Sequence, residues 1–305
     1  MNFRPITIAD KNIITEYTYE SDFKNCDFAF SNMCSWRFLY ESEFAAEDGF
    51  LFIRFNVPDK KHNHKAYMFP VGKGNLAHAI NKIEKDAATL NLPLLILGIT
   101  DESKIILEKN FPNEFTYMTD RNYFDYIYLR EDLQFLKGKK FQAKRNHINK
   151  FNKLYQYSYI PLTQEIAPQC MELEQIWLNL NVSEQYREAL ANERRSLCFA
   201  LKNFTQLELH GGAIVVDNKI IAFSCGSKIN RNTFGVHVEK ADITYEGIFS
   251  VINREFVSHL PQEYIYINRE EDLGIAGLRK AKLSYNPVML LAKNGAMKRK
   301  SPALN

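Results

Sequence analysis

The order of elements constrains this chain most: the hydrophobic pattern runs as strands, helix, strand, helix, strand, and then does so again. In the first half, Gly49 to Asn56 and His64 to Pro70 read as strands. Asn75 to Leu90 has helical spacing, with Leu76, Ile80, Ile83 and Ala87 recurring three and four apart. Leu92 to Ile99 reads as a buried strand, and Asp101 as the N-cap of the next helix. Phe115 to Thr119 and Tyr123 to Leu129 look like a pair of strands. In the second half, Glu165 to Leu180 and Glu184 to Lys202 read as helices. Four consecutive strands follow, Gln206 to His210, Gly212 to Val216, Ile220 to Ser227 and Thr233 to Val238, with a tight turn at Asp217-Asn218. Tyr245 to Leu260 is helical, Tyr264 to Asn268 a strand, Asp272 to Leu283 helical, and Pro287 to Ala292 a strand. This order predicts an α/β (α+β) protein with mixed sheets covered by helices. The expected division is 1–136, a basic helix over 137–160, and 161–305 carrying most candidate site residues.

A length of 305 residues suits two domains. With 46% apolar and 25% charged residues the chain is globular, and only the tail from Lys298 reads as disordered. The net charge of +3 excludes a uniformly basic protein but not a local basic patch. Five cysteines, odd in number, widely spaced and without a CxxC pair, fit a reducing compartment. With no leader pattern and no long apolar run, a cytoplasmic location without a transmembrane segment is expected.

Three segments could carry chemistry. Lys137, Lys139, Lys140, Lys144, Arg145, Lys150 and Lys153 follow one another without an intervening acid. On a helix, Arg145 falls on the apolar stripe of Phe141, Ile148, Phe151 and Tyr155, where a carboxylate or phosphate partner is expected. The plain alternative is a solvated basic face with one ion pair. The second segment, Asn268-Arg269-Glu270-Glu271-Asp272-Leu273-Gly274, joins a strand end to a helix start, a usual ligand position in open α/β sheets. Its carboxylates suit a substrate amine, or simply the helix start, with Asp272 as cap. On the helix that follows, Gly274, Gly277, Leu278 and Ala281 form a face suited to close backbone packing, and Arg279 and Lys282 stand together opposite an anion. In the third segment, His237 and Glu239 alternate onto one face of a strand as general base and orienting group. Tyr245-Glu246-Gly247 then opens a helix with a single glycine, where many acyl-CoA transferases carry a glycine-rich pyrophosphate loop. A packing role is the plain alternative for His237. His62 and His64 lack further ligands in sequence reach, so no metal site is expected.

Together, Trp36-Arg37, Tyr67 to Gly72, Lys140-Phe141-Gln142-Ala143-Lys144-Arg145-Asn146-His147-Ile148-Asn149-Lys150-Phe151, Tyr245-Glu246-Gly247 and Glu270 to Gly274 with Gly277-Leu278-Arg279-Lys280-Ala281-Lys282 resemble a bacterial family. It is the family that includes the cytosolic C-terminal domain of phosphatidylglycerol lysyltransferase. The resemblance implies two GNAT-like (acyl-CoA N-acyltransferase-like) domains in tandem, as in Fem-type peptidoglycan aminoacyltransferases. It implies transfer of an aminoacyl group from aminoacyl-tRNA to an amine, a hydroxyl or a lipid headgroup. On that basis Lys140, Lys144 and Arg145, with Asn146, His147 and Asn149, are expected to bind the donor, and Tyr245, Glu246, Gly247 and Asn268 to line the site. Glu270 and Asp272 are expected to recognise the transferred amino group, and Arg279 and Lys282 to stabilise the acceptor phosphate or the oxyanion. The cations are expected to converge on one cavity. An acyl-CoA-dependent N-acyltransferase and a non-catalytic binding protein on the same scaffold are the alternatives.

Overall fold

The structure is a computed structural model that describes residues 1–57, 64–181 and 187–299; His62 lies outside them. The first sheet holds β1 (Arg4–Pro5), β2 (Glu43–Glu47), β3 (Phe50–Val57), β4 (His64–Met68), β5 (Val71–Gly72), β6 (Leu95–Ile99) and β7 (Phe115–Thr119). The second holds β8 (Asp125–Leu129), β9 (Ser158–Pro161), β10 (His210–Val216), β11 (Lys219–Lys228), β12 (Thr233–Ala241), β13 (Tyr266–Asn268) and β14 (Met289–Leu291). A last strand, β15 (Asn294–Lys298), returns to the first sheet. The orders are β1-β2-β3-β4-β6-β15-β7, with β5 also on β3, and β14-β8-β13-β12-β11-β10-β9.

The helices are α1 (Lys11–Thr18), α2 (Phe30–Ser35), α3 (Arg37–Tyr40), α4 (Leu76–Thr89), α5 (Asp101–Asn110), α6 (Arg130–Phe135), α7 (Gln142–Leu154), α8 (Ala167–Asn181), α9 (Arg187–Lys202), α10 (Ile248–His259) and α11 (Ala276–Leu283). Their faces follow the periodicity. α4 buries Ala79, Ile80, Ile83 and Ala87, and the Asn75 side chain caps it by accepting from His78 N. At α5 the cap is Thr100, one residue before the expected Asp101, because its hydroxyl accepts from Ser103 N. Asp217 and Asn218 adopt φ of 48° and 62°, as the tight β10–β11 turn requires. The expected strand from Gln206 to His210 is not formed: residues 206–209 are turn and loop, and β10 takes in only His210 of it, ahead of the expected Gly212 to Val216, so three strands stand where four were expected. Lys298, assigned from sequence to a disordered tail, ends β15 and pairs with Glu84 at 2.5 Å and Glu114 at 3.2 Å.

The boundary at 136 does not separate the sheets. The expected β7–β8 pair is split: β7 borders β15 in the first sheet, and β8 lies between β14 and β13 in the second. The chain crosses over between Thr119 and Asp125 and crosses back between Leu291 and Asn294. One apolar cluster draws on both sheets, joining Phe44, Leu51 and Ile53 to Ala213, Phe223 and Cys225. The polar residues of the next subsection gather at these two crossings.

Candidate functional site

β13 pairs in parallel with β12 only over three residues, Tyr266 to Asn268 opposite Thr233 to Gly235. β12 runs on to Ala241, while the other chain turns toward β8, with Arg269 N donating to Tyr126 O at 2.9 Å. The strands therefore part beyond Gly235, and side chains bridge the opening.

From Asn268 to Asp272, five consecutive side chains each take different partners. Asn268, fully buried, donates to Lys24 O at 2.6 Å and Asp125 Oδ2 at 2.7 Å and accepts from Glu270 N at 2.6 Å. Arg269 donates to Glu239 Oε1 at 2.9 Å and lies over the Tyr285 ring. Glu270 Oε1 meets His237 Nδ1 at 2.8 Å and accepts from Asn32 Nδ2 at 2.9 Å. Glu271 pairs with Lys293. Asp272, fully buried, accepts from Arg279 Nε at 2.8 Å and Nη2 at 2.7 Å, from Tyr126 OH at 2.6 Å and from Gly274 N at 2.8 Å. The Arg279 hydrogen bonds hold its carboxyl far below the usual carboxylate range, against the effect of burial.

His237 and Glu239 do not share a face. Pairing shifts between Val236 opposite Gly226 and Val238 opposite Cys225, so His237 is the extra residue of a β-bulge. The bulge breaks the two-residue alternation. Glu239 faces α10, accepting from Asn253 Nδ2 at 3.2 Å, whereas His237 faces α2. The orienting carboxylate of His237 is therefore Glu270, and its Nε2 lies 2.8 Å from Ser227 Oγ and 3.0 Å from Ser31 Oγ. Burial alone would raise the Glu270 carboxyl, but the His237 hydrogen bond and charge hold it below its ordinary value. Serine, imidazole and carboxylate stand in nucleophile–base–orienter order. Both serines are buried, at 2% and 3% exposure, so the relay binds α2 to the second sheet instead of facing solvent.

A second cluster fills the crossings. The Lys293 ammonium contacts Asp125 Oδ1 at 3.0 Å, Asp27 Oδ2 at 3.0 Å and Glu271. Cys26 Sγ lies 3.5 Å from both Asp125 and Glu271. Burial raises the Asp125 carboxyl to about 7, with Lys293 opposing the rise and Glu271 and Asp27 adding to it. Burial would lower the Lys293 pKa, yet the surrounding carboxylates hold it well above its ordinary value. Lys293 is the cation these acids hold.

The basic helix sits differently from expectation. Arg145 is not paired with a carboxylate: its guanidinium donates to the carbonyls of Leu136 and, at 2.7 Å, Gly138, closing the end of α6. Lys140 pairs with Asp132 at 2.8 Å, and Asn146, His147 and Asn149 are exposed. Lys144 is half-buried, its ammonium 3.8 Å from the Tyr285 ring centre. Burial, and then the nearby Arg269, bring its pKa down to about 8, with Glu239 opposing. α7 lies across the N-terminus of α10: Lys150 bonds Glu246 at 2.5 Å, and Tyr155 packs on Tyr245 with centroids 5.0 Å apart. A Cβ on Gly247 would stand 2.6 Å from the His147 carbonyl oxygen, and Gly247 has φ of 90°. Gly247→Ala should therefore lose about 1–3 kcal/mol, read as a lower thermal midpoint. An unchanged midpoint would show that α7 does not lie there.

Arg279 and Lys282 are also turned inward. Arg279 holds Asp272 and Asn122, and Lys282 donates to the carbonyls of Arg269, at 2.5 Å, and Glu271. Asp272 does not cap α11, whose N-cap is Ile275. The expected common cavity of Arg145 and Arg279 is not formed, because each is held by its own internal partners. What converges instead is Lys144 with Arg269, Glu239 and Tyr285. The sequence segment around Asn268 gives Arg269 no role of its own. For Cys26, Asp125 and Lys293 the one signal in the sequence is the aspartate that opens the apolar strand DYIYL.

Residues 20–293 match the family described as "Phosphatidylglycerol lysyltransferase, C-terminal". The chain belongs to this family. A conserved protein of unknown function from Bacteroides thetaiotaomicron is 49% identical, covers 98% of this chain and 100% of its own, and superposes with a TM-score of 0.94. L-PGS from Bacillus licheniformis is 12% identical, covers 98% and 94%, and has a TM-score of 0.68, a likeness of fold. An uncharacterized protein of Mycoplasmoides gallisepticum is 27% identical over 175 residues, which are 55% of this chain and 54% of that one, so the match spans about half of each. The fold is the expected α/β arrangement of two mixed sheets covered by helices, and FemX, 8% identical with a TM-score of 0.55 over 96% of this chain and 97% of its own, shares it. Among the described residues no helix is long and apolar enough to cross a membrane.

Proposed function

We propose that this acyltransferase-like protein moves an aminoacyl group from aminoacyl-tRNA to an amine or hydroxyl acceptor. The observation that supports an RNA-borne donor over acyl-CoA is the covered N-terminus of α10. Pyrophosphate gripped at a helix start needs free amides and an open approach. Here Ile248 N bonds Tyr245 O at 3.1 Å, Ser250 N and Val251 N bond Gly247 O at 2.9 and 3.2 Å, and the His147 backbone closes the approach. The covering helix has no acidic residue and carries Lys144, Arg145, His147, Lys150 and Lys153. The lysyltransferase named in the family description supports an aminoacyl cargo.

In the reaction, the acceptor nitrogen or oxygen bonds to the ester carbonyl carbon, the ester C–O bond breaks, and the tRNA hydroxyl leaves with the acceptor's proton. Such an activated ester needs alignment above all. Lys144 is the donor contact, its ammonium kept partly out of water on Tyr285.

Filter retention of charged tRNA tests this. Retention should weaken linearly in log–log form with salt. It should also fall between pH 7 and 9 as Lys144 loses its proton near 8. Lys144→Arg should remove the pH dependence, and Lys144→Glu should cut retention about tenfold. Acetyl-CoA should leave the thermal midpoint in place; a clear upward shift by acetyl-CoA, with no tRNA retention, would overturn the reading.

A further inference from the structure

We propose that Glu270 is the base of the transfer, taking the acceptor's proton on Oε2 and passing it to the leaving hydroxyl. The inference rests on the reaction proposed above and deepens it, because that reading assigns the proton to no residue.

Glu270 lies just past the end of β13, where that strand has left β12, and its side chain reaches back across the opening to His237. The backbone is held for this placement. Glu270 has φ of 58°, a left-handed conformation uncommon for a residue with a side chain. Its N donates to Asn268 Oδ1 at 2.6 Å and its carbonyl accepts from Tyr126 N at 3.2 Å. A costly conformation fixed from both sides marks a side chain with a function. Within that side chain the bonding falls on one oxygen. Oε1 meets His237 Nδ1 at 2.8 Å and Asn32 Nδ2 at 2.9 Å. Oε2 has no hydrogen-bond partner among the described residues and is not sealed from solvent, in a side chain 23% exposed. The serine end of the relay is buried, and its carboxylate end is open.

Charge singles out Glu270 among the acids around the opening. Glu239 holds Arg269, Glu271 holds Lys293 and Asp272 holds Arg279. Protonating any of these leaves a fixed cation without its counter-ion. Glu270 is held by an imidazole and an amide, with no Lys or Arg at ion-pair distance among the described residues. The imidazole can shift its own proton in step, so a protonated Glu270 strands no fixed charge. Burial would raise the carboxyl, but the His237 bond and charge and the Asn32 bond hold it below its ordinary value, so it waits without a proton. The acceptor nitrogen or oxygen turns strongly acidic as it bonds to the ester carbon, which lets a carboxylate take its proton. As the ester C–O bond breaks, the departing tRNA oxygen takes that proton from Glu270 and the carboxylate is restored. His237 and Asn32 are positioning residues: they fix Oε1 and so aim Oε2.

Two probe acceptors separate chemistry from packing in the full chain. Glycerol must lose a hydroxyl proton to react, whereas hydroxylamine attacks an ester unaided. With charged tRNA as donor, Glu270→Gln should lower transfer to glycerol about hundredfold and transfer to hydroxylamine less than about threefold. The thermal midpoint and the filter retention of charged tRNA should stay at wild-type values. If that variant does not fold, Glu270→Asp, which keeps the charge but draws it back by one methylene, should show the same split. Equal losses with both acceptors, undiminished transfer to glycerol, or a wild type that retains charged tRNA and transfers to neither probe would overturn the assignment. With retention intact, those outcomes remove the base alone. A wild type that retains no charged tRNA removes the donor reading, and the base with it.

Discussion

Lys293→Met should lose about 3–5 kcal/mol of stability at pH 8 and clearly less at pH 5 in urea denaturation. Lys293 is 9% exposed and holds Asp125, Asp27 and Glu271, with Asp125 fully buried. Removing the ammonium leaves buried negative charge without its counter-ion, the costly way to break such a cluster. The pH dependence comes from Asp125, whose carboxyl stands at about 7 in the folded chain against about 3.9 unfolded. An acid raised on folding binds its proton more tightly in the native state. Its contribution is therefore fully present below the unfolded value and is lost as pH rises through the folded one. At pH 5 the variant keeps Asp125 neutral, whereas at pH 8 it must bury the charge or unfold. Equal losses at the two pH values would mean that Lys293 supports the crossing by packing alone.

Arg269→Met should be almost as damaging, by about 3–5 kcal/mol, because it strands Glu239 beneath α10 with Asn253 as its remaining side-chain donor. Glu239→Gln in the same chain should recover a good part of that loss, since a neutral amide is far cheaper to bury than a carboxylate. A double-mutant cycle by urea unfolding gives the coupling, expected at about 2 kcal/mol for groups in contact. Strict additivity would show that the pair is not formed in solution. Lys144 supplies an independent readout: with Arg269 gone, its ammonium has lost the like charge beside it, so its pKa should move up from about 8.

Much of the fold was legible because burial leaves a period in the sequence. Ile80, Ile83 and Ala87 mark the inner face of α4, and Asp217-Asn218 marks the β10–β11 turn. Long-range exchange leaves no such trace. Phe115 to Thr119 and Asp125 to Leu129 look like neighbours, yet they enter different sheets, because their partners come from residues 266–298. The site shows the same division. The segment Asn268 to Asp272 was recognisable as a strand end rich in charge, but its pairings were not. A bulge at His237 puts the imidazole on the face opposite Glu239, and one inserted residue is invisible to an alternation rule. The inward roll of α11 was hidden for a related reason. Periodicity assumes that leucines face the core, and here Asp272 and the Arg269 and Glu271 carbonyls hold the cationic side instead. α2, whose Ser31 and Asn32 complete the His237–Glu270 relay, gave no sequence signal beyond a short polar-apolar run.

The place of β15 sets a timetable for synthesis. It lies between β6 and β7, so those two strands have no direct pairing and wait for residues 294–298 to fill the slot. A ribosome making this protein releases β6 and β7 early but supplies their shared neighbour nearly two hundred residues later. Until then both present unsatisfied main-chain groups, which other nascent chains can capture. The earliest sheet to be started is thus among the last parts to be finished, and a stalled or truncated product should be a substrate for chaperones instead of a stable half.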